Sequence, residues 1–161
     1  GERAWELLRM INPVNHARSP QAIDLYKAEP YVVAADLYAR TPHTGRGGWS
    51  WYTGSAGWMY RLMVESLLGL RVEADRLWLV PNLPAEWPQL RIHYRYRETV
   101  YHILIVQHPA RGDAAGGLQR VSLDGVELTE RTIALVDDQR EHRVEVDFWR
   151  KAETAGLGGG V

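Results

Sequence analysis

Cysteine is absent from this sequence of 161 residues, which excludes disulfide bonds, thiolate metal ligands and a cysteine nucleophile. The absence fits a reducing compartment. The sequence has no basic excess either: 19 Lys and Arg residues stand against 20 Asp and Glu residues, for a formal net charge of −1. That balance argues against a general nucleic-acid-binding protein. No apolar run approaches the roughly 18 residues that a membrane-spanning helix needs.

Phenylalanine is also scarce, whereas the other large aromatic residues are plentiful. There is one Phe, against seven Trp and eight Tyr. Trp and Tyr combine a flat apolar face with a polar group, so they suit sugar rings, which stack through C–H faces and hydrogen-bond through hydroxyls. The alternative interpretation is that most of these residues form an aromatic-rich core.

The first seventy residues carry helical patterns. The opening segment is predicted to be a helix that ends at Asn12-Pro13. Ser19-Pro20 has the signature of an N-cap followed by proline at the first helical position, which predicts a short helix over 20–27. A further helix is predicted to open at Glu29-Pro30, and the longest helix to cover 53–69. In the first helix the spacing i, i+3, i+4, i+7 predicts a buried stripe of Ala4, Leu7, Leu8 and Ile11.

After residue 71 the apolar period changes to two, which is typical of strands. We expect antiparallel strands with a hairpin turn at Asp124-Gly125 and a loop over 109–118. The predicted organisation is therefore helices over 1–70, a β-sandwich over 71–150 and a flexible glycine-rich tail over 151–161. The strands are predicted at 77–79, 90–96, 100–107, 133–136 and 142–148, and the hairpin is predicted over 121–128.

The segment Gly45–Trp58 (GRGGWSWYTGSAGW) is the strongest candidate for a functional site. Its five glycines allow a backbone to approach another group closely. The predicted long helix begins at Thr53-Gly54, and a helix N-terminus attracts anions through its free N–H groups and its dipole. Arg46 offers a charge-assisted contact. The alternative is that Thr53 only caps the helix and that the tryptophans Trp49, Trp51 and Trp58 pack.

The remaining polar residues predict neither a metal site nor a catalytic acid. No histidine pair has the spacing of a metal site. His43, beside the glycine-rich segment, is the best histidine candidate for a ligand contact, and His16 is the second. Glycosidic cleavage usually needs two carboxylates, and no such pair can be identified among the acids of the helical half. Glu29 is interpreted as complementing a helix dipole, and Asp36 as an ordinary surface or capping acid.

Three blocks in order, NPVNHARSP, YKAEPYVVAADLY and GRGGWSWYTGSAGWMYR, resemble the C-terminal region of family 94 glycoside phosphorylases. The family includes cellobiose and chitobiose phosphorylases and the C-terminal module of cyclic β-1,2-glucan synthases. That last module is the most similar in sequence, including the later segment LVDDQREHRVEV. The resemblance covers about residues 2–150.

The resemblance implies a fold and a reaction. The fold is an α+β fragment: the closing helices of an (α/α)6 barrel, followed by a C-terminal antiparallel β-sandwich of jelly-roll type. The reaction is inverting phosphorolysis, in which one carboxylic acid protonates the glycosidic oxygen and inorganic phosphate attacks the anomeric carbon. No cofactor is implied beyond phosphate as co-substrate. The family's phosphate-binding Thr-Gly matches Thr53 and Gly54, and the surrounding candidates for substrate contact are His43, Arg46, Trp49, Trp51 and Tyr52.

The family's catalytic Asp has no counterpart here, and the N-terminus resembles a helix already under way. We therefore expect a fragment that is inactive alone and whose partners are a β-glucan oligosaccharide, phosphate and upstream barrel and synthase domains. A synthase of this kind implies a location on the cytoplasmic side of the inner membrane. Exposed apolar helix faces (Leu7, Leu8, Leu62, Met63) predict self-association. The alternatives are a free-standing carbohydrate-binding module, with Tyr94, Tyr96 and Tyr101 as platforms, and a purely structural sandwich.

Overall fold

The computed structural model describes residues 1–110 and 117–150 of the chain. It is an α+β structure with few helices and two β-sheets. The chain divides into two compact units, Gly1–Leu67 and Leu68–Val161. Most of the predicted loop over 109–118 and the predicted tail over 151–161 lie outside the described residues.

The first unit opens with two short helices whose ends follow the local sequence. Helix α1 covers Glu2–Ile11 and is followed by a 3-10 helix over Pro13–Ala17. Helix α2 covers Pro20–Tyr26, and its N-cap hydroxyl, Oγ of Ser19, accepts a hydrogen bond from the N–H of Ala22 at 3.1 Å. The predicted cap at Ser19 and the predicted stop at Asn12-Pro13 are confirmed.

The buried side of α1 differs from the predicted stripe. Trp5 and Leu8 are the buried residues of the helix, whereas Leu7 and Ile11 are exposed. Periodicity locates an apolar face, but burial depends on whether other segments cover the whole of that face. Here only part of it is covered.

The helix predicted to open at Glu29-Pro30 does not form. Residues 27–52 are irregular, with one isolated antiparallel bridge between Leu37 and Gly47. The backbone bonds to a later segment instead: the N–H of Ala35 donates to the carbonyl of Trp49 at 2.7 Å, and the N–H of Tyr38 to that of Arg46 at 2.9 Å. These cross-segment bonds use groups that a helix would pair internally.

Helix α3 covers Thr53–Arg61, and a π-helical segment follows over Leu62–Leu67. The predicted helix over 53–69 is therefore present at its start but changes its winding after Arg61. Because a π-helix pairs residue i with i+5, its side chains leave the 3.6-residue stripes on which the prediction rested.

The second unit contains two sheets. The smaller sheet has the order β1-β2-β7 and the larger one the order β3-β4-β8-β5-β6. The Asp124-Gly125 turn between β5 and β6 is confirmed, with positive φ at both residues. The strands are β1 Leu70–Glu73, β2 Arg76–Leu79, β3 Gln89–Tyr96, β4 Thr99–His108, β5 Gly117–Leu123, β6 Val126–Glu127, β7 Thr132–Ala134 and β8 Glu141–Trp149.

One strand pair contradicts the expectation of purely antiparallel sheets. Strand β8 lies between β4 and β5 and runs parallel to β4, with His102 opposite Arg143. The period-two pattern predicts strands and their faces, but strand direction depends on the path of the chain. Here β8 inserts into the middle of the sheet, so the strands that pair with it are not adjacent to it in sequence.

The buried core of the second unit draws on both sheets. Tyr101 is fully buried, and its hydroxyl donates to the carbonyl of Val136 at 3.2 Å and accepts from the N–H of the same residue at 2.8 Å. Because Val136 follows β7 of the smaller sheet, this side chain links the two sheets. The other fully buried apolar side chains include Leu77, Leu79, Ile103, Ile105, Val121, Ile133, Val144 and Val146.

Candidate functional site

The candidate phosphate-binding residues lie in the first turn of α3. The helix starts at Thr53, its N-cap is Tyr52, and Tyr52 supplies no side-chain hydrogen bond to the first turn. Thr53 is therefore the first helical residue and not the cap. The first N–H groups of a helix have no partner inside it. A Cβ at Gly54 would meet nothing within 4 Å, so the space beside this turn is open.

A carboxylate from 22 residues upstream holds the segment just before the helix. The indole N–H of Trp51 donates to Oε1 of Glu29 at 2.9 Å, and the hydroxyl of Ser50 approaches Oε2 at 3.5 Å. The ring of Tyr31 meets the Trp51 ring edge-on, with centroids 6.2 Å apart. The indole hydrogen bond lowers the pKa of Glu29. Glu29 therefore acts as an anchor for Trp51.

Trp51 has a backbone conformation that needs such an anchor. Its φ is +65°, in the left-handed region, which costs an L-residue roughly 1–2 kcal/mol. The side chain is nevertheless 67% exposed, so burial does little to fix it. We infer from the geometry that the Glu29 hydrogen bond and the Tyr31 contact supply the local stabilisation.

A second carboxylate holds the glycine-rich loop of the site. Oδ1 of Asp36 accepts the N–H of Trp49 at 3.0 Å, and the backbone carbonyl of Asp36 accepts the N–H of Gly48 at 2.9 Å. A Cβ on Gly48 would collide with the Asp36 carboxylate. Glycine is needed here because the carboxylate occupies the space of a side chain.

The glycine-rich loop is also tied to α2. The N–H of Gly47 donates to the carbonyl of Tyr26 at 2.7 Å, and a Cβ on Gly47 would press on the Tyr26 ring. Tyr26 is buried and stacks on His16, with ring centroids 4.7 Å apart. His16, the second histidine candidate, thus has a packing role, and Nε2 of its ring lies 2.7 Å from the carbonyl of Met10.

The other candidates lie on the surface of the same unit. Trp49 is 70% exposed and Tyr52 48% exposed, and their rings are 6.3 Å apart. His43 and Arg46 are exposed within the loop, and the N–H of Arg46 donates to the carbonyl of His43 at 3.0 Å. The His43 ring lies 6.1 Å from that of Tyr38. Sequence reasoning did not find the roles of Glu29 and Asp36, because their partners lie 22 and 13 residues away and no local pattern encodes such contacts.

No group of three or more metal-ligating side chains occurs in the described part of the chain. In residues 1–110 and 117–150, no helix is long and apolar enough to cross a membrane.

Comparison with known proteins gives the site its context. Residues 1–69 match the catalytic domain of the glycosyl hydrolase 94 superfamily, and residues 70–123 match the C-terminal domain of glycosyl hydrolase family 65. The first unit is thus similar to family 94 catalytic domains, and the start of the second unit is similar to family 65 C-terminal domains. The resemblance to family 94 enzymes is confirmed.

Individual relatives agree with that assignment. The chain is 47% identical over 112 residues to a cyclic beta-(1,2)-glucan synthase of Rhizobium meliloti, covering 70% of this chain and 4% of that protein. It is 29% identical over 149 residues to a solabiose phosphorylase of Paenibacillus borealis, covering 92% and 19%. A third relative, an N,N'-diacetylchitobiose phosphorylase of Vibrio furnissii, is 32% identical over 126 residues, covering 78% and 15%. The chain spans less than a fifth of the length of each.

Proposed function

We propose that this chain is the terminal part of an inverting glycoside phosphorylase module that acts on β-glucans, with β-1,2-glucan in a cyclic glucan synthase as the specific case. The observation that carries the proposal is the Thr53-Gly54 turn: it opens a helix in a segment that matches the glycosyl hydrolase 94 superfamily, and the space beside it is open. The similarity to a cyclic beta-(1,2)-glucan synthase supports the choice of glucan.

In this proposal the first unit completes an (α/α)6 barrel and the second is a jelly-roll sandwich. The many exposed apolar side chains of the first unit support the barrel, because extensive exposed apolar surface usually marks a contact surface. The partners are then the upstream barrel and synthase domains of the same polypeptide. We place the module on the cytoplasmic side of the membrane, on the basis of the similarity to a cyclic beta-(1,2)-glucan synthase.

The proposed step is a displacement at the anomeric carbon. Phosphate forms a bond to that carbon as the glycosidic C–O bond breaks, and a carboxylic acid gives its proton to the departing oxygen. The products are a sugar 1-phosphate of inverted configuration and a shortened glucan. Thr53 contributes a hydroxyl donor, and the N–H groups of the first turn and the positive end of the helix dipole stabilise the phosphate.

The surrounding residues shape this half-site. Glu29 and Asp36 hold the backbone that leads into the helix, so Trp49, Trp51 and Tyr52 form the wall beside the phosphate. His43 and Arg46 lie in the neighbouring loop, where a cation would strengthen anion binding. No cofactor takes part, and phosphate is a co-substrate.

Titration of the chain with inorganic phosphate, followed through backbone amide NMR shifts, tests the site. We expect shifts centred on residues 53–55, and about tenfold weaker binding in Thr53→Val, since a hydrogen bond to a charged group contributes about 1.5–3 kcal/mol. Thr44→Val, which changes an exposed threonine of the neighbouring loop, is the matched control and should bind as the parent does. Equal affinities of the two variants would contradict the assignment.

Activity of the chain by itself tests the half-site. Because no catalytic acid can be identified in it, the purified chain should release no sugar 1-phosphate from β-1,2-gluco-oligosaccharides. Release above the level of a Thr53→Val preparation would show that the acid is present in this chain.

The carbohydrate-binding alternative is not supported by the residues that suggested it. Tyr101 is fully buried, while Tyr94 and Tyr96 are half-buried on the same side of the sheet. These tyrosines therefore do not form an exposed row of stacking platforms.

A further inference from the structure

The outer face of the larger sheet carries a polar surface that the proposed phosphate site does not use. Strand alternation buries Ile103 and Val144 and turns their neighbours outward. The register brings His93 opposite His102, and His102 opposite Arg143 on β8. One row further along, Arg91 lies opposite Leu104, and Leu104 opposite Glu145.

Two neighbouring depressions on this face share part of their lining. The first has a volume of about 510 Å³ and reaches the β5–β6 turn at Asp124-Gly125. The second has a volume of about 350 Å³ and reaches Arg91 and His93 on β3. Both are lined by His102, Arg143 and Glu145, so we treat them together as the sheet groove. It crosses from β3 to β5, three strand spacings of about 4.8 Å, or roughly 14 Å.

The sheet groove is lined by charges of both signs in similar number. Three carboxylates, on Asp124, Glu141 and Glu145, face two guanidinium groups, on Arg91 and Arg143. The side chain of His142 lies on the other face of β8, where its ring stacks on Tyr101. A groove with nearly equal numbers of opposite charges exerts little long-range attraction on an anion or a cation.

Several lining side chains are held in place by their neighbours. Nδ1 of His142 lies 2.7 Å from Oδ2 of Asp124, and Oδ1 of Asp124 accepts the N–H of Arg143 at 2.8 Å. Nε2 of His102 lies 3.1 Å from Oε2 of Glu141, and the His93 ring meets the His102 ring edge-on at 4.8 Å. Binding to groups that are already ordered costs less conformational entropy.

From these observations we propose that the sheet groove binds a stretch of a neutral, polyhydroxylated chain, that is, an oligosaccharide. Guanidinium, imidazole and carboxylate groups offer closely spaced donors and acceptors, which match the alternating hydroxyls of a sugar chain. The length of about 14 Å accommodates a short oligosaccharide and exceeds a single ring. The further specification that the sugar is a β-glucan rests on the proposed function. The groove would then hold glucan through the second unit.

The test uses the whole chain and linear β-1,2-gluco-oligosaccharides, with backbone amide NMR shifts as the readout. We expect shifts on β3, β4 and β8, and binding about tenfold weaker in Arg143→Gln and Glu145→Gln. Arg95→Gln and Glu127→Gln are matched controls, because both residues are exposed on the same sheet but line neither depression. The controls should change the affinity less than twofold. Absence of shifts on these strands, or equal losses in the controls, would overturn the proposal.

Two further arms separate this proposal from the proposed function. Inorganic phosphate should leave the groove amides unshifted, and oligosaccharide affinity should be insensitive to salt because the ligand is neutral. Phosphate competition, or affinity that falls steeply with salt, would show an anion site instead. Shifts on β3, β4 and β8 without any phosphate response at residues 53–55 would retain the groove and reject the phosphorylase assignment. A phosphate response at residues 53–55 without oligosaccharide shifts on β3, β4 and β8 would retain the phosphorylase assignment and reject the groove.

Discussion

The two units of this chain differ in how far they bury their own apolar residues. Among the described residues, twelve of the seventeen buried hydrophobic side chains belong to Leu68–Val161, whereas fifteen of the twenty exposed large hydrophobic side chains belong to Gly1–Leu67. The strand unit thus has a core of its own. The helical unit has apolar faces without an equivalent core.

The difference follows from how strands and helices bury their apolar side chains. Sheets that face each other bury one side of every strand, so two sheets suffice for a core. Short helices bury one stripe each and need further helices on the other side. The exposed side chains of α1, α2 and α3 therefore favour the barrel context proposed above, and they also predict self-association of the chain when it is isolated.

The largest expected effect comes from a matched pair of isoleucines. Ile105 is 0% exposed and Ile23 is 47% exposed. Ile105→Ala should lower the free energy of unfolding of the strand unit by about 2–5 kcal/mol, because it removes packed methyl groups and leaves a cavity. Ile23→Ala should cost less than about 1 kcal/mol. Denaturant unfolding with hydrogen exchange on β4 and α2 measures both, and similar losses would remove the contrast between the units.

A pair of glycines sharpens the same contrast. Gly69 has a φ of +77°, and a Cβ there would collide with the backbone carbonyl of Val80. Gly69→Ala should therefore cost about 1–3 kcal/mol. Gly54→Ala should stabilise α3 by up to about 1 kcal/mol, since alanine is the better helix former and the space is open.

The Gly54→Ala variant also separates stability from binding. The added methyl group would occupy the space assigned to phosphate, so phosphate affinity should fall while the melting temperature rises. Thermal unfolding and phosphate titration on the same preparation measure the two quantities. A variant that is more stable and binds phosphate as well as the parent would argue against a site at this turn.

A smaller effect is expected from pH on the stability of the strand unit. The side chain of His142 is 13% exposed, its ring stacks on Tyr101 at 5.0 Å, and its two nitrogens contact Asp124 and Asp138. Because its pKa is raised in the folded state, its stabilising contribution is complete below the ordinary value of 6.5 and is lost as pH rises through the folded pKa.

The two carboxylates have the opposite dependence. The hydrogen bond from His142 lowers the pKa of Asp124, and for Asp138 the bonds from the Arg140 N–H and from His142 outweigh the burial that acts against them. Their contribution is present above the ordinary value of 3.8 and is lost as pH falls. The strand unit should thus be most stable between about pH 4 and pH 6.5. Unfolding at several pH values should show this maximum in the parent chain and a flatter profile in His142→Gln.

The smallest expected effect concerns the anchor in the helical unit. Trp51→Phe removes the indole donor to Glu29, so the pKa of Glu29 should rise toward its ordinary value of 4.5. NMR titration of the side-chain carboxyl carbon measures it, with Trp49→Phe as the control because Trp49 contacts Asp36 through its backbone. An unchanged pKa in Trp51→Phe would mean that the indole bond does not hold Glu29 in solution.

The local sequence determined the elements whose signals lie within a few residues. The Ser19 cap, the stop at Asn12-Pro13, the start of α3 and the Asp124-Gly125 hairpin were all predictable, because capping and turn chemistry act over one to four residues. The alternation along β3 also predicted which of its residues are turned toward solvent. These features depend on side-chain size and backbone preference, which each residue carries with it.

Only the tertiary structure decided the features that join distant segments. The segment after Glu29-Pro30 is irregular because its backbone pairs with residues 46–49, and β8 runs parallel to β4 because the chain returns into the middle of the sheet. Glu29 accepts a hydrogen bond from Trp51, which lies 22 residues later in the sequence. The sheet groove is lined by residues from three strands and a turn. Such contacts depend on which segments meet in space, and no short-range preference records that choice.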